Sequence, residues 1–187
     1  MKLAPALTVA ALTVAALSVS AAVAQTPGPA PAPCAAAEHH QFDFWVGRWD
    51  VYPMAKPTKL VAHSLIESLY GGCAIRENWM PLAGGGDGGS LSSFVADEKG
   101  WRQTWVDASG ARVDFKGGYV GEAMVLTGFW PGVLGPGKGA LIRMTYTRQP
   151  GGAVRQLGEA STDDGKTWQP NFDFIYRPSS LKTPLGG

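Results

Sequence analysis

The sequence predicts an all-β fold, an antiparallel up-and-down barrel of about ten strands with one short N-terminal helical turn. Short runs of alternating apolar and polar residues recur along the chain, separated by Gly, Pro and Asp clusters. No window of a dozen residues carries the apolar period of about 3.6 residues that a helix needs. Short turns such as "DEKG", "DASG", "QPGG" and "DDGK" favour a meander that closes into a barrel, with a two-sheet sandwich as the alternative.

The predicted elements follow in a simple order. A short helical turn is expected around "AEHHQFDFW", ahead of the first strand. The strands are expected at residues 48–53, 59–70, 73–80, 90–97, 101–107, 111–119, 123–130, 140–148, 153–161 and 167–177. Between them lie residues that favour turns, because Gly tolerates positive φ and Pro and Asp suit turn positions.

The N-terminus has the pattern of a signal peptide, residues 1–24. Lys2 precedes an uncharged run that begins at Leu3 and ends with Ala22 and Ala24 in the A-x-A arrangement of a cleavage site. The mature protein is therefore expected to be periplasmic or secreted, without membrane insertion after cleavage. An uncleaved membrane anchor is the alternative.

The rest of the chain is expected to form one domain with two tails. Residues 25–38 are Pro- and Ala-rich and are expected to be a flexible leader. Residues 39–178 are assigned to the barrel domain and residues 179–187 to a disordered tail. A domain of about 150 residues can bury a substantial core.

The charge balance excludes one class of partner. Removal of residues 1–24 takes away one of the 16 Lys and Arg residues, which leaves 15 against 15 Asp and Glu. No block of about five or more like charges occurs. We therefore expect no nucleic-acid partner, because nucleic acids need a basic surface. The oligomeric state is unknown from this pattern.

The chain has two cysteines, Cys34 and Cys73. In an oxidising compartment one disulfide between them is the natural pairing, and it would tie the leader to the barrel. Two free thiols are the alternative, because the separation of their Cα atoms decides whether the bond can form.

The stretch "STDDGKTW" fits S-x-D-x-G-x-x-W, the Asp-box pattern that recurs in sialidases. Ser161 and Asp163 are expected to accept hydrogen bonds from backbone N–H groups, Gly165 to supply positive φ, and Trp168 to pack on the hairpin. Sialidase-like propellers carry several copies at blade spacing, whereas this chain has one. The motif is therefore interpreted as a structural hairpin, with a role in sugar chemistry as the alternative.

The start of the first strand, "FDFWVGRWDVY", contains Gly47-x-Trp49 and resembles the G-x-W signature of lipocalins and other calycin barrels. That resemblance implies that Trp49 closes one barrel end beneath Arg177 of the last strand. Residues 42–177 also resemble a family of uncharacterised secreted bacterial proteins with a lipocalin-like barrel, catalogued as a domain of unknown function. The matching stretches are "FDFWVGRWDVY", "GGCAIRENW", "WRQTWVD" and "STDDGKTW". This resemblance implies a fold and no established activity.

No cofactor or metal is expected. One branch of ten-stranded calycin barrels holds haem through a histidine in its C-terminal half, but the histidines here are His39, His40 and His63, all N-terminal. They form no cluster with carboxylates at metal-ligand spacing and are interpreted as loop or surface residues. The stretch "GVLGPGKG" lacks the Ser or Thr with which a P-loop holds Mg²⁺.

Alternation predicts which side chains line the lumen, because every second residue of a strand faces the same side. The shared faces are Cys73, Ile75, Glu77 and Trp79; Trp101, Gln103, Trp105 and Asp107; Ile142, Met144 and Tyr146; and Phe172, Phe174 and Tyr176. The residues expected to bind a ligand are Glu77, Trp79, Gln103, Trp105, Tyr146, Gln156 and Tyr176. In the alternative interpretation, the aromatic side chains simply fill the barrel.

The predicted function is the binding of a small apolar or aromatic molecule in the lumen, without chemistry. No G-x-S-x-G elbow, H-E-x-x-H pair or triad candidate occurs, so no catalytic residue is assigned. Two alternatives remain open. One is an enzyme acting on a substrate bound in the lumen, and the other is a filled structural or interaction barrel without a ligand.

Overall fold

The computed structural model describes residues 33–84 and 86–180. The predicted signal peptide, residues 25–32 of the predicted leader and residues 181–187 of the predicted tail lie outside the described residues. The described part contains ten antiparallel strands, which form a closed up-and-down barrel. The predicted fold class is confirmed, and the sandwich alternative is wrong.

The strand bounds agree with the predicted ones to within three residues. The strands are β1 (Gly47–Pro53), β2 (Ala62–Leu69), β3 (Ala74–Pro81), β4 (Gly88–Val95), β5 (Gly100–Asp107), β6 (Arg112–Val120), β7 (Ala123–Trp130), β8 (Ala140–Arg148), β9 (Val154–Ser161) and β10 (Gln169–Pro178). Each strand pairs with its neighbours along the chain. The barrel closes where β1 pairs with β10, with Val51 opposite Tyr176.

The predicted helical turn is present as two 3-10 segments, Ala37–His40 and Asp43–Trp45. Three more 3-10 turns, which the sequence analysis did not predict, lie in the connections after β2, β4 and β8 at Tyr70–Gly72, Ala96–Glu98 and Pro150–Gly152. In an up-and-down barrel, these connections share the end of the barrel at which β1 begins. No helix within the described ranges is long and apolar enough to cross a membrane.

The N-terminal segment fills the end of the barrel at which β1 begins. Phe42 and Trp45 are fully buried, and their rings stack with centroids 4.9 Å apart. The Phe42 ring also makes T-shaped contacts with the rings of Trp101 and Tyr146, with centroids 5.7 and 5.0 Å away. Aromatic pairs at such distances add to the stability that burial provides. Aromatic rings therefore fill the centre of the barrel at this end, which we call the closed end.

A disulfide joins Cys34 to Cys73, with a Cα–Cα distance of 5.1 Å. It attaches the segment before the first 3-10 turn to the connection between β2 and β3. Organised structure thus begins before residue 39, the predicted start of the barrel domain. A disulfide of this kind is typical of proteins from an oxidising compartment.

Trp49 lies at the closed end, but the prediction that Arg177 stacks on it is wrong. The Trp49 indole N–H donates to the carbonyl oxygen of Trp45 at 2.9 Å. A Cβ on Gly47 would lie 3.2 Å from the indole, so glycine allows the close approach of this ring. Arg177 is exposed and lies 4.7 Å from the ring centroid of Tyr52. It points outward because its neighbour Tyr176 points inward, and side chains alternate along a strand.

The connection between β9 and β10 is a tight hairpin held by the Asp-box side chains. Ser161 Oγ accepts from the backbone N–H of Gly165 at 2.8 Å, and Asp163 Oδ1 accepts from that of Thr167 at 2.9 Å. Gly165 has φ of +82°, and the Trp168 indole N–H donates to its carbonyl oxygen. Hydrogen bonds, first those from Thr167, lower the pKa of Asp163 to about 2. The motif therefore stabilises a turn on the outside of the barrel.

Candidate functional site: the barrel lumen

A cavity of about 300 Å³ occupies the half of the barrel that lies away from the N-terminal aromatic rings. Its described lining comes from β3, β5, β6, β7, β8, β9 and β10 together with Gly86 of the β3–β4 connection. Eight of the fourteen lining side chains are aromatic. The strand ends that surround its mouth are the C-terminal ends of odd-numbered strands and the N-terminal ends of even-numbered ones. We call this the open end.

All seven residues that the sequence predicts as ligand contacts line the cavity: Glu77, Trp79, Gln103, Trp105, Tyr146, Gln156 and Tyr176. Alternation along each strand brings them together, because the barrel turns one face of every strand inward. Their location agrees with the prediction, whereas binding by them stays a prediction.

Several residues of the site were not predicted from the sequence. Phe115 and Trp130 line the cavity, and the same alternation along β6 and β7 could have identified them. Ser64 and Ser90 are buried beside Glu77 and donate hydrogen bonds to it. Small polar residues on the inner face carry no periodic signal that marks them as partners of a particular carboxyl group. Their role depends on the register between strands.

Glu77 is the central polar group of the lumen. It lies on β3 one inward position closer to the closed end than Trp79, and its residue is 6% exposed. Its carboxyl accepts from the hydroxyl of Ser64 on β2 at 3.1 Å and from that of Ser90 on β4 at 3.3 Å. Burial raises the pKa of Glu77 from its ordinary 4.5 to about 7, although both hydrogen bonds act to lower it. Near neutral pH both the protonated and the ionised form of the Glu77 side chain are therefore populated.

A second polar cluster spans β8, β9 and β10. The hydroxyl of Tyr176 donates to Gln156 Oε1 at 2.7 Å, and Gln156 Nε2 donates to the hydroxyl oxygen of Tyr146 at 2.9 Å. Burial, and then the nearby charge of Glu77, raise the pKa of both tyrosines well above 10. Both phenols therefore stay protonated at neutral pH. The cluster is neutral and fixes the orientation of the Gln156 amide.

Gln103 and Asp107 complete the polar groups. Gln103 Nε2 donates to Ser92 Oγ at 3.0 Å. At the mouth, Asp107 accepts from the indole N–H of Trp105 at 3.0 Å and from the backbone N–H of Ser109 at 2.9 Å. Partial burial acts to raise the pKa of Asp107, but hydrogen bonds from Ser109, Trp105 and the amide of residue 111 outweigh it, and the pKa is lowered. Asp107 is therefore ionised at neutral pH.

The aromatic lining forms two walls. One wall contains Trp79 and Phe174, whose ring centroids are 5.7 Å apart, with Phe172 stacked on Phe174 at 5.7 Å. The other contains Trp105 and Trp130, with centroids 6.1 Å apart. The first wall comes from β3 and β10, which lie on either side of β1 and β2, and the second comes from β5 and β7, which lie on either side of β6. The strand order places these two walls on opposite sides of the barrel.

The three histidines lie outside the cavity lining. The Nδ1 atoms of His40 and His63 lie 2.8 and 2.9 Å from carboxylate oxygens of Asp43 and Asp50, and the ring of His39 packs against that of Phe94. Within residues 33–84 and 86–180, no group of three or more His, Cys, Asp and Glu side chains is arranged to hold a metal ion.

Comparison with known proteins gave no family assignment. No protein-family model matches the chain, and no curated protein matches it.

Proposed function

We propose that this protein binds a small, largely apolar molecule in its barrel lumen and carries out no chemistry on it. The observation that carries the proposal is the cavity of about 300 Å³ with a mostly aromatic lining and a few fixed polar groups. This volume lies at the lower end of the range for small-molecule sites. It corresponds to roughly ten water molecules at liquid density. The ligand is therefore compact, on the scale of one or two rings.

We also propose that the protein works outside the cytoplasm, in the periplasm or after secretion. The disulfide between Cys34 and Cys73 supports this, because such bonds persist in oxidising compartments. Membership of the lipocalin-like family is part of the proposal. It is supported by the closed ten-stranded barrel and by the packing of Trp49 against Gly47 at the closed end.

The first experiment is native mass spectrometry of mature protein purified from its own compartment, compared with the same sample after denaturation. We expect an added mass of a small molecule that disappears on denaturation. The denatured chain is expected at its calculated mass less two hydrogen atoms, because of the disulfide.

The second experiment uses the neutral fluorescent probe N-phenyl-1-naphthylamine and a matched pair of variants on β8. Met144→Trp adds bulk to a side chain that lines the cavity, whereas Thr145→Trp adds the same residue on the outer face. We expect the first variant to weaken probe binding by about tenfold or more, since a filled lumen leaves no room, and the second to retain it. Equal binding by both variants, or none by the unmodified protein, would contradict the proposal.

One observation favours a second candidate, an enzyme that uses Glu77 as a general acid or base. A carboxyl with a pKa of about 7 suits proton transfer at neutral pH. In that case Glu77→Gln would abolish turnover of a substrate found by the mass experiment while leaving its binding intact. Recovery of the bound molecule unchanged after prolonged incubation would contradict the enzyme.

A further inference from the structure

The charge of the lumen restricts which apolar molecules fit it. Among the described lining residues, two are acidic, Glu77 and Asp107, and none is Lys, Arg or His. A cavity with walls of low polarity concentrates the field of such charges. An anionic ligand would meet repulsion at the mouth from Asp107 and again inside from Glu77. The lumen therefore disfavours carboxylates such as fatty acids.

The carboxyl of Glu77 has acceptor capacity left for a ligand. A carboxylate can accept about four hydrogen bonds, and its described partners donate two, one from Ser64 and one from Ser90. Glu77 also belongs to the cavity lining. The adjacent side chains in the lumen are neutral tyrosines and amides, and none of the described residues that line the cavity is Lys, Arg or His. A buried carboxylate of this kind gains most from a positively charged partner.

The two aromatic walls favour the same partner. A cation is attracted to the faces of Trp, Tyr and Phe within about 6 Å of the ring centroid, and the attraction grows when water is excluded. Trp79 is the next inward-facing residue of β3 after Glu77, towards the open end. The ring centroid of Tyr176 lies 6.4 Å from that of Trp79. A cationic group on Glu77 would therefore share the cavity with the Trp79 and Tyr176 rings, and an attached flat ring can occupy the space between the walls.

We propose that the ligand is a small organic cation, a protonated amine on a flat apolar or aromatic body, with its ammonium group on Glu77 and its ring between the two walls. This inference rests on the proposed function, because it requires that the lumen bind a ligand. The raised pKa of Glu77 agrees with it, since a carboxyl that is costly to ionise alone becomes ionised when a cation binds.

The test uses three indoles of nearly equal shape that differ in charge: tryptamine, tryptophol and indole-3-acetate. Each competes with N-phenyl-1-naphthylamine for ligand-free mature protein, disulfide intact, at pH 8. We expect tryptamine to bind about tenfold or more tighter than tryptophol, and indole-3-acetate to bind about tenfold or more weaker. In Glu77→Gln the advantage of tryptamine over tryptophol is expected to fall to about threefold or less, because the charge that attracts the ammonium group is removed.

The control is Glu122→Gln, which removes one negative charge at an exposed position in the β6–β7 turn. It is expected to keep the preference for tryptamine. A second measurement needs no variant: tryptamine affinity should rise between pH 6 and 8, and tryptophol affinity should not. Glu77 is the group in the lumen that titrates there, because the pKa of Asp107 lies below its ordinary value and those of Tyr146 and Tyr176 lie well above 10.

The outcomes separate the two proposals. If tryptophol binds but tryptamine binds no tighter, or indole-3-acetate binds best, the amine proposal is overturned while lumen binding stands. If the preference for tryptamine survives in Glu77→Gln, the assignment to Glu77 is overturned. If neither the fluorescent probe nor any indole binds the unmodified protein, both proposals fail.

Discussion

Replacement of Glu77 by Gln should stabilise the ligand-free protein at alkaline pH and leave its stability nearly unchanged in acid. Glutamine has nearly the same shape as glutamic acid and can keep one hydrogen bond with each of the hydroxyl groups of Ser64 and Ser90. The replacement removes only the ionisation of the buried carboxyl group. The stability of the unmodified protein depends on that ionisation, because the pKa of Glu77 is about 7 in the folded state and close to 4.5 in the unfolded chain.

The sign and size follow from proton linkage. Below pH 4.5 both states hold the proton, so ionisation of Glu77 has no effect. Between pH 4.5 and 7 the unfolded chain releases the proton and the folded protein keeps it, so the free energy of unfolding falls by about 1.4 kcal/mol per pH unit. Above pH 7 the deficit is constant at roughly 3 kcal/mol. The free energy of unfolding of Glu77→Gln does not fall in this way, because glutamine does not ionise.

Urea unfolding followed by tryptophan fluorescence, at intervals from pH 4.5 to 8.5, measures the effect. The other titrating groups are common to both proteins and cancel in the difference between them. We expect that difference to grow by roughly 3 kcal/mol across the range, with equal m-values, and the exposed-charge control Glu122→Gln to show no such growth. A difference that stays constant with pH would refute the argument that burial of Glu77 opposes its ionisation.

Three further predictions concern the scaffold. The double variant with Cys34→Ser and Cys73→Ser should have a free energy of unfolding lower by about 4 kcal/mol, because the disulfide closes a loop with a sequence separation of 39 residues. Urea unfolding of the oxidised protein and of the double variant measures the difference, and equal stability would contradict the prediction. Ser161→Ala should lower the free energy of unfolding by about 1 kcal/mol, because the hydrogen bonds of a buried hydroxyl in the β9–β10 hairpin are lost. The effect is measured as a lower melting temperature, and Thr145→Ala on the outer face is the control. Gly158→Ala should lower the free energy of unfolding by about 1 to 3 kcal/mol and change the affinity for the fluorescent probe, because its Cβ would lie 2.3 Å from the ring of Phe172 and displace that ring. An unchanged affinity would show that the ring does not shape the cavity.

The fold was predictable because local signals agree along this chain. The predicted bounds of β7 and β8 match the structure at both ends, since each run alternates and is flanked by Gly or Pro. The lining of the lumen followed from the same alternation. The partners of Glu77 did not, because Ser64 and Ser90 meet it only through the register of β2 and β4 with β3. Register arises from the whole barrel, and a single strand carries no information about it.

The wrong prediction that Arg177 stacks on Trp49 came from the resemblance to lipocalins. The alternation of side chains along β10 could have prevented it. Alternation along the chain already predicted Phe172, Phe174 and Tyr176 on one face of β10, so the next residue, Arg177, had to lie on the other face. The N-terminal segment supplies instead what an arginine was expected to provide. Trp45 accepts the indole hydrogen bond of Trp49 through its carbonyl oxygen. Such a contact joins a segment outside the strands to a strand end, and alternation within strands does not predict it.

The two halves of the barrel interior differ in how completely side chains fill them. At the closed end, Phe42, Trp45 and Trp101 fill the interior and act as core. At the open end, space remains between aromatic walls, and Glu77 lies at its inner limit. If that half needed only to be filled, an apolar side chain at the Glu77 position would avoid the cost of a buried carboxyl. Because that cost is borne at a cavity, the position of the carboxyl supports the proposal that Glu77 serves a ligand and not the stability of the fold.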